Sequence, residues 1–340
     1  MFSSFLGSIA VLLSLLAPGA GAPVAPASPA APASAGAPTP KVAAAPRYRE
    51  YVALGDSWSA DVVILNAQGL PDTKHAPIDC AQSMVSYPKQ VAKALRVATF
   101  RDATCGSATT RDFYTPQTGL PTGGTNPPQF NRLTRTTDLV TVGIGGNDAG
   151  FAAAAVSCIN VLPTNTSAFD AVKLPVDIPF LGNGVPLGGC KQRFVKNGRD
   201  LLAESINASE VKLVRALKDI HKRSPKARVL MVNYLDALPA KGCYPFVPIT
   251  DLDMAYLHAT FNRLNAMVKR AAAKGGAELV DTFADSHGHD VCRLPNVRYV
   301  EGLGVLSLND LAVAIPAHPN SAGAASQYRS VMKQLARPAR

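Results

Sequence analysis

Five short apolar runs alternate with longer stretches of helical spacing, and that alternation confines the chain to few folds. The runs cover residues 51–54, 96–100, 139–142, 228–232 and 278–280. Helical stretches fall at 86–94, 200–223 and 251–274, and a last one begins near Asn320 and runs to Leu335. In the second, Leu202, Ile206, Leu213, Leu217 and Ile220 recur near every 3.6 residues; in the third, Leu257, Phe261, Leu264 and Val268 do so. Strands separated by helices build a parallel sheet covered on both faces. Right-handed crossovers bring the carboxyl ends of all strands to one edge, where open α/β sheets bind ligands. The expected class is therefore α/β, a three-layer α/β/α sandwich. With 47% hydrophobic and 17% charged residues, the chain carries enough apolar side chains to fill both sides of the sheet.

Two segments precede the folded part. Residues 1–22 hold an apolar run, 9–17, that ends in Gly19-Ala-Gly-Ala22, and they read as a secretory signal with a small-residue cleavage region. An uncleaved anchor is the alternative, although the run is shorter than the ~18 residues a span needs. Residues 23–46 are almost all Ala, Pro, Ser and Gly, a composition that cannot bury enough surface to order itself and that reads as a disordered linker. The folded domain is expected over 47–340. Within it, residues 149–196 break the alternation. They are rich in Pro, Gly and Asn and contain Cys158 and Cys190. We read them as an insertion that either shapes the substrate pocket or covers the sheet edge.

Six cysteines, Cys80, Cys105, Cys158, Cys190, Cys243 and Cys292, lie behind the linker. An even number behind a secretory signal points to disulfides, and spacing alone leaves 15 pairings open. We expect the sequential set, 80–105, 158–190 and 243–292, each bond closing a local loop and contributing roughly 3 kcal/mol if unstrained. No Cys-x-x-Cys or Cys/His cluster at zinc spacing occurs, so metal ligation is not expected. The net charge of +10 is spread along the chain, without basic runs or a nucleic-acid module, which argues against nucleic acid as a partner. A basic surface leaves peripheral contact with a membrane or cell wall open. We read the protein as a monomer acting on a small-molecule or lipid ester, with no cofactor.

The chemistry concentrates in three places. The first apolar run ends in Gly55-Asp-Ser57, which puts a serine hydroxyl at the carboxyl end of a strand. A serine becomes a nucleophile only beside a base; a plain turn serine is the alternative. The Gly-x-Ser-x-Gly elbow of the α/β-hydrolases does not occur. His318, in Pro316-Ala-His-Pro-Asn320, stands on a proline-braced turn just before the last helix and is the candidate base. Of the other histidines, His221 and His258 sit in helical stretches, His75 in a polar loop, and His287 and His289 in a loop that reads as solvated rather than cation-binding. Gly143-Ile-Gly-Gly-Asn147-Asp148 and Cys105-Gly106-Ser107 follow strands and can present N–H groups to a developing oxyanion, through the Asn147 side chain and the Gly106 and Ser107 backbones.

Taken together, four stretches resemble the blocks of the SGNH hydrolases, the GDSL esterases and lipases. Leu54-Gly-Asp-Ser57, Cys105-Gly-Ser-Ala-Thr-Thr110, Val142-Gly-Ile-Gly-Gly-Asn147-Asp148 and His318-Pro-Asn320 stand in the family's order. The likeness extends over about 47–336 and is marked toward the secreted actinobacterial esterases and lipases, which also carry three sequential disulfides. It implies a flavodoxin-like parallel sheet, Ser57 as nucleophile, His318 as base, and an oxyanion hole made by Asn147 with the amides of Ser57 and the second block. Asp56 and Asp148 would be structural.

Three departures stand out. Relatives often have an aspartate three residues before the histidine, and here that place holds Ile315. A main-chain carbonyl near Ile315 is the expected substitute, with Asp310 as another candidate. Ser107 occupies a place usually held by glycine, and Asp61 occupies another. Trp58, the chain's one tryptophan, follows the serine and either lines the acyl pocket or packs in the core. The leading expectation is a secreted serine esterase or lipase. A polysaccharide or cell-wall O-deacetylase and a non-catalytic binding protein of the same fold remain the alternatives.

Overall fold

The computed structural model describes residues 48–65, 70–160, 173–178, 182–186, 189–302 and 313–339. The signal and linker readings for 1–46 lie outside these residues, as does Asp310.

Five parallel strands form the central sheet: β1 (Glu50–Gly55), β2 (Thr99–Asp102), β3 (Leu139–Gly143), β4 (Arg228–Val232) and β5 (Glu278–Val280). Their spatial order is β5-β4-β3-β1-β2, so β1 lies between β3 and β2. The helices that matter are α1 (Ser57–Ala60), α2 (Tyr87–Leu95), α3 (Phe151–Ser157), α4 (Leu201–Arg223), α5 (Asp251–Gly275) and α6 (Ser321–Leu335). Alternate side chains of each strand enter different cores, as the two-residue period of a strand requires. Val52, Leu54, Val140, Val142 and Met231 pack with α4 and α5. Tyr51, Ala53, Leu139, Leu230 and Val280 pack on the other face with α2 and α6. This is the expected α/β/α sandwich.

Polar groups set the edges of these layers. The Tyr51 and Thr141 hydroxyls pair at 2.7 Å inside the second core. Arg228 makes a two-point bond to Glu278 at 2.8 Å and donates to the Leu335 and Gln334 carbonyls, which fastens the carboxyl end of α6 to β4 and β5. The N-termini of α4, α5 and α6 are capped by the side chains of Asp200, Thr250 and Asn320.

One expectation needed revision, and one stretch holds a helix that its sequence did not show. The strand expected at 96–100 begins at Thr99, because Arg96 ends α2 in left-handed backbone, φ 51°, and the Val97 N–H still bonds back to Ala92. The 149–196 stretch opens with a helix, α3, that has no visible period. Its sequence, Phe-Ala-Ala-Ala-Ala-Val-Ser, is so uniformly small and apolar that no polar face contrasts with a buried one. The rest of the stretch includes an antiparallel pair, Lys173–Ile178 with Gly182–Pro186. Its end docks on α5, where the buried Asp253 carboxylate accepts from the Cys190 and Lys191 N–H groups.

The disulfides are Cys80–Cys105, Cys158–Cys190 and Cys243–Cys292, the sequential set. Among the described residues no helix is long and apolar enough to cross a membrane.

Candidate active site

Four strand and helix ends meet at the carboxyl edge of the sheet. β1 and β3 run side by side there, with Gly55 opposite Gly143. A Cβ on Gly55 would stand 2.6 Å from the Gly143 carbonyl, so the close approach of the two strand ends requires glycine. The chain then turns into α1 at Asp56, whose carboxylate caps that helix by accepting the Trp58 N–H at 2.9 Å. Ser57 follows as the first helical residue. Its N–H is one of the donors that a helix start leaves without an internal partner.

His318 reaches Ser57 from the other end of the chain, with Nε2 2.9 Å from the serine Oγ. Its Nδ1 lies 2.9 Å from the Pro316 carbonyl. A carbonyl can only accept, so Nδ1 carries the ring proton and Nε2 accepts from the serine hydroxyl. A main-chain carbonyl near Ile315 was expected here; the Pro316 carbonyl makes the 2.9 Å contact, and the Ile315 backbone also acts on the ring. Ala317, between Pro316 and His318, adopts φ 61°. Burial holds the imidazole below the usual histidine value, against the pull of the Pro316 and Ile315 carbonyls toward the protonated ring.

The second and third blocks are stitched to each other. The Asn147 side-chain amide donates to the Ala108 carbonyl at 3.0 Å, which leaves its second N–H for other use. Asp148 accepts from both the N–H and the hydroxyl of Thr110, at 2.9 and 2.6 Å. Burial raises the Asp148 carboxyl and the Thr110 bonds lower it, with a net rise. Of the two backbone donors expected here, Gly106 is occupied. Its N–H bonds the Cys80 carbonyl at 3.2 Å, an acceptor that the Cys80–Cys105 disulfide holds beside it. Ser107 has the left-handed φ of 61° that glycine adopts without strain, and Asp61 at the end of α1 has φ 55°. Both departures from the family's glycines therefore keep the glycine backbone, at a cost that polar residues bear better than branched ones.

Two contributors had no sequence motif. The Gln129 side chain bonds both the N–H and the carbonyl of Gly55, at 2.8 and 2.9 Å, as a neighbouring strand would. Tyr234, two residues past β4, donates its hydroxyl to Asp56 at 2.7 Å. Its place just beyond a strand's carboxyl end was the available signal. Burial pushes the Asp56 carboxyl up to about 7, although the Tyr234 and Trp58 bonds favour its ionised form.

These groups open on one cavity of about 1090 Å³, bordered by Ser57, Ser107, Asn147 and His318 and walled elsewhere by Phe151, Leu257, Phe261 and Leu264. Trp58 lines the cavity and also packs, edge-on against Tyr234 at 5.3 Å and 6.3 Å from the His318 ring. The disulfide-bound stretch contributes α3 and Arg193 to the wall. His287 pairs with Asp236 and His289 stacks on Tyr299, away from this cavity. Among the described residues no His, Cys, Asp and Glu cluster is arranged to hold a metal ion.

The chain is similar to Lipase 2 of Streptomyces coelicolor, 33% identical over 81% of this chain and 81% of that protein. It is 28% identical to an esterase of Streptomyces scabiei, over 84% of this chain and 85% of the other. Among solved structures, phospholipase A1 from Streptomyces albidoflavus NA297 superimposes with a TM-score of 0.57 at 22% identity, covering 84% of this chain and 99% of that one, which speaks to the fold alone. The GDSL-like Lipase/Acylhydrolase family model matches residues 53–325, a span that holds Ser57, Asn147 and His318. With block order, sheet and relatives in agreement, the chain belongs to the GDSL-like lipase/acylhydrolase family and is a carboxylic ester hydrolase.

Proposed function

We propose that this protein is a secreted serine esterase or lipase that cleaves esters with a long apolar acyl part. The hydrogen bond between His318 Nε2 and Ser57 Oγ, 2.9 Å long and at the border of a large apolar cavity, carries the reading. Ser57 attacks the ester carbonyl while His318 takes its proton. The oxyanion is held by the second N–H of the Asn147 amide and the backbone N–H groups of Ser57 and Ser107, each typically worth ~3 kcal/mol. His318 then protonates the leaving alcohol. It next deprotonates the water that attacks the acyl-enzyme, and the acid departs with Ser57 restored.

The cavity supports the acyl assignment, being slightly larger than the roughly 300–1,000 Å³ usual for small-molecule sites. The name of the Streptomyces coelicolor relative supports a lipid substrate. The three disulfides support secretion, since such bonds persist in oxidising compartments.

Fluorophosphonate labelling, mapped by mass spectrometry, tests the chemistry. Ser57 should be labelled, and His318→Ala should lose the label; an unlabelled, folded and oxidised protein would return the weight to a non-catalytic binding protein. A chain-length series of aryl esters tests the substrate. Turnover should rise from acetate toward long acyl chains, and a maximum at acetate would favour the O-deacetylase.

A further inference from the structure

Tyr234 stands between the two loops that carry the proposed nucleophile and the proposed oxyanion donor. It is 4% exposed and belongs to neither loop. Its hydroxyl donates to Asp56 at 2.7 Å and accepts the Gly146 N–H at 2.7 Å. Asp56 is the residue before Ser57, and Gly146 is the residue before Asn147. One oxygen atom thus spans the site from beneath, as donor to one side and acceptor from the other. The fit around it is close: a Cβ on Gly146 would meet the Tyr234 hydroxyl at 3.0 Å and the ring carbon bearing it at 3.2 Å. The ring itself is fixed by Trp58 and Phe261, at centroid distances of 5.3 and 6.0 Å, and the Tyr234 N–H is held by the Asn265 side chain.

We infer that Tyr234 is a positioning residue of the hydrolysis, holding the Ser57 turn and the Asn147 loop at the separation that the oxyanion requires. The inference rests on the roles proposed above for Ser57 and Asn147. Its physical ground is that buried polar groups constrain geometry when they are satisfied and cost stability when they are not. Without the hydroxyl, an Asp56 oxygen and the Gly146 N–H both lose their partner, and the two loops are free to shift against each other. Displacements of about 1 Å in such a pair cost rate on the order of 10²-fold. Substrate still enters the same apolar cavity, so binding changes little. Asp56 accepts from Tyr234 through one carboxyl oxygen and from Trp58 through the other, so the same hydroxyl also holds the cap of the helix that begins with Ser57.

The test is Tyr234→Phe, which removes one oxygen and keeps the ring. Its kcat on an aryl ester should fall roughly 10–100-fold with KM within about twofold, in protein whose unfolding is still cooperative. Asp56→Ala removes the acceptor and breaks the same bond from the other side, so the loss in the double variant should be clearly smaller than the product of the two single losses. If Tyr234→Phe does not fold, Gly146→Ala is measured instead. Its methyl group crowds the hydroxyl, and kcat should again fall with KM steady. A folded Tyr234→Phe or Gly146→Ala with unchanged kcat overturns the inference. So does a double variant whose losses multiply. Wild-type protein that neither turns over esters nor labels at Ser57 would fail the proposed function first; wild-type turnover beside an unchanged Tyr234→Phe fails only the role of Tyr234.

Discussion

Ser57 and His318 meet across 2.9 Å but arrive there by different routes. Ser57 stands at the carboxyl end of a central strand, and side chains hold its surroundings: Asp56 caps its helix, Gln129 clamps Gly55, and Tyr234 braces Asp56. His318 stands on a turn outside the main sheet, and main-chain groups hold it. Its own carbonyl accepts the Glu301 N–H, the Ala317 N–H bonds the Glu301 carbonyl, and the Ile315 N–H bonds Val62, all within 3.1 Å. The ring is oriented by the Pro316 carbonyl. Asn320 is the side chain that joins in, bonding the Arg298 carbonyl, the Glu301 carboxylate and the Gly323 N–H. The half around the proposed nucleophile therefore depends on particular residues, whereas the half around the proposed base depends on the path of the backbone.

Substitutions can break or sharpen that contrast. The largest effect belongs to Ser57→Ala, which should lower turnover roughly 10⁴-fold or more while leaving the unfolding temperature nearly unchanged; residual turnover near wild type would place the nucleophile elsewhere. Asn147→Ala should cost about 10²-fold in kcat, since one oxyanion donor disappears with the side chain. An unchanged kcat would remove Asn147 from the hole.

On the base side, Asn320→Ala should act mainly on stability. It deletes the cap of α6 and strands two buried acceptors, so denaturant unfolding should show a loss of about 2–4 kcal/mol. A loss below ~0.5 kcal/mol would mean that the backbone alone carries this turn. The imidazole should titrate below the ordinary histidine value of ~6.5, because burial disfavours its charged form. The neutral ring, the form able to take the serine proton, then persists to more acidic pH. NMR of the His318 ring checks this, and a midpoint at or above ~6.5 contradicts it. Smallest of all, Asp310→Asn should change kcat by less than about twofold, because the Pro316 carbonyl already occupies Nδ1. A collapse in rate would give the base half a side-chain acid after all.

The same contrast explains what the sequence disclosed. Strands β1, β3, β4 and β5 and the long helices α4 and α5 were legible because their periods are strong and their ends capped. The Ser57–His318 pair was legible as a candidate because Gly-Asp-Ser and His-Pro-Asn are side-chain patterns at fixed places. Tyr234 and Gln129 were not, since each acts across a distance in sequence, 178 residues to Asp56 and 74 to Gly55. Nor could residue types show that the Gly106 N–H is taken by Cys80, or that the carbonyl 2.9 Å from His318 Nδ1 is that of Pro316. Backbone hydrogen bonds leave no mark on the choice of side chain unless the turn demands an unusual φ. Ser107, Asp61 and Ala317, all with positive φ, show that even this mark can be missing.

The Pro316 carbonyl has a consequence for how such a site withstands genetic drift. A carboxylate partner can be erased by a single base change, and with it the orientation of the imidazole ring. A peptide oxygen is encoded by no codon, because every residue at position 316 would supply one. The mutational target for losing that contact is spread over whatever bends the turn, rather than concentrated in one side chain.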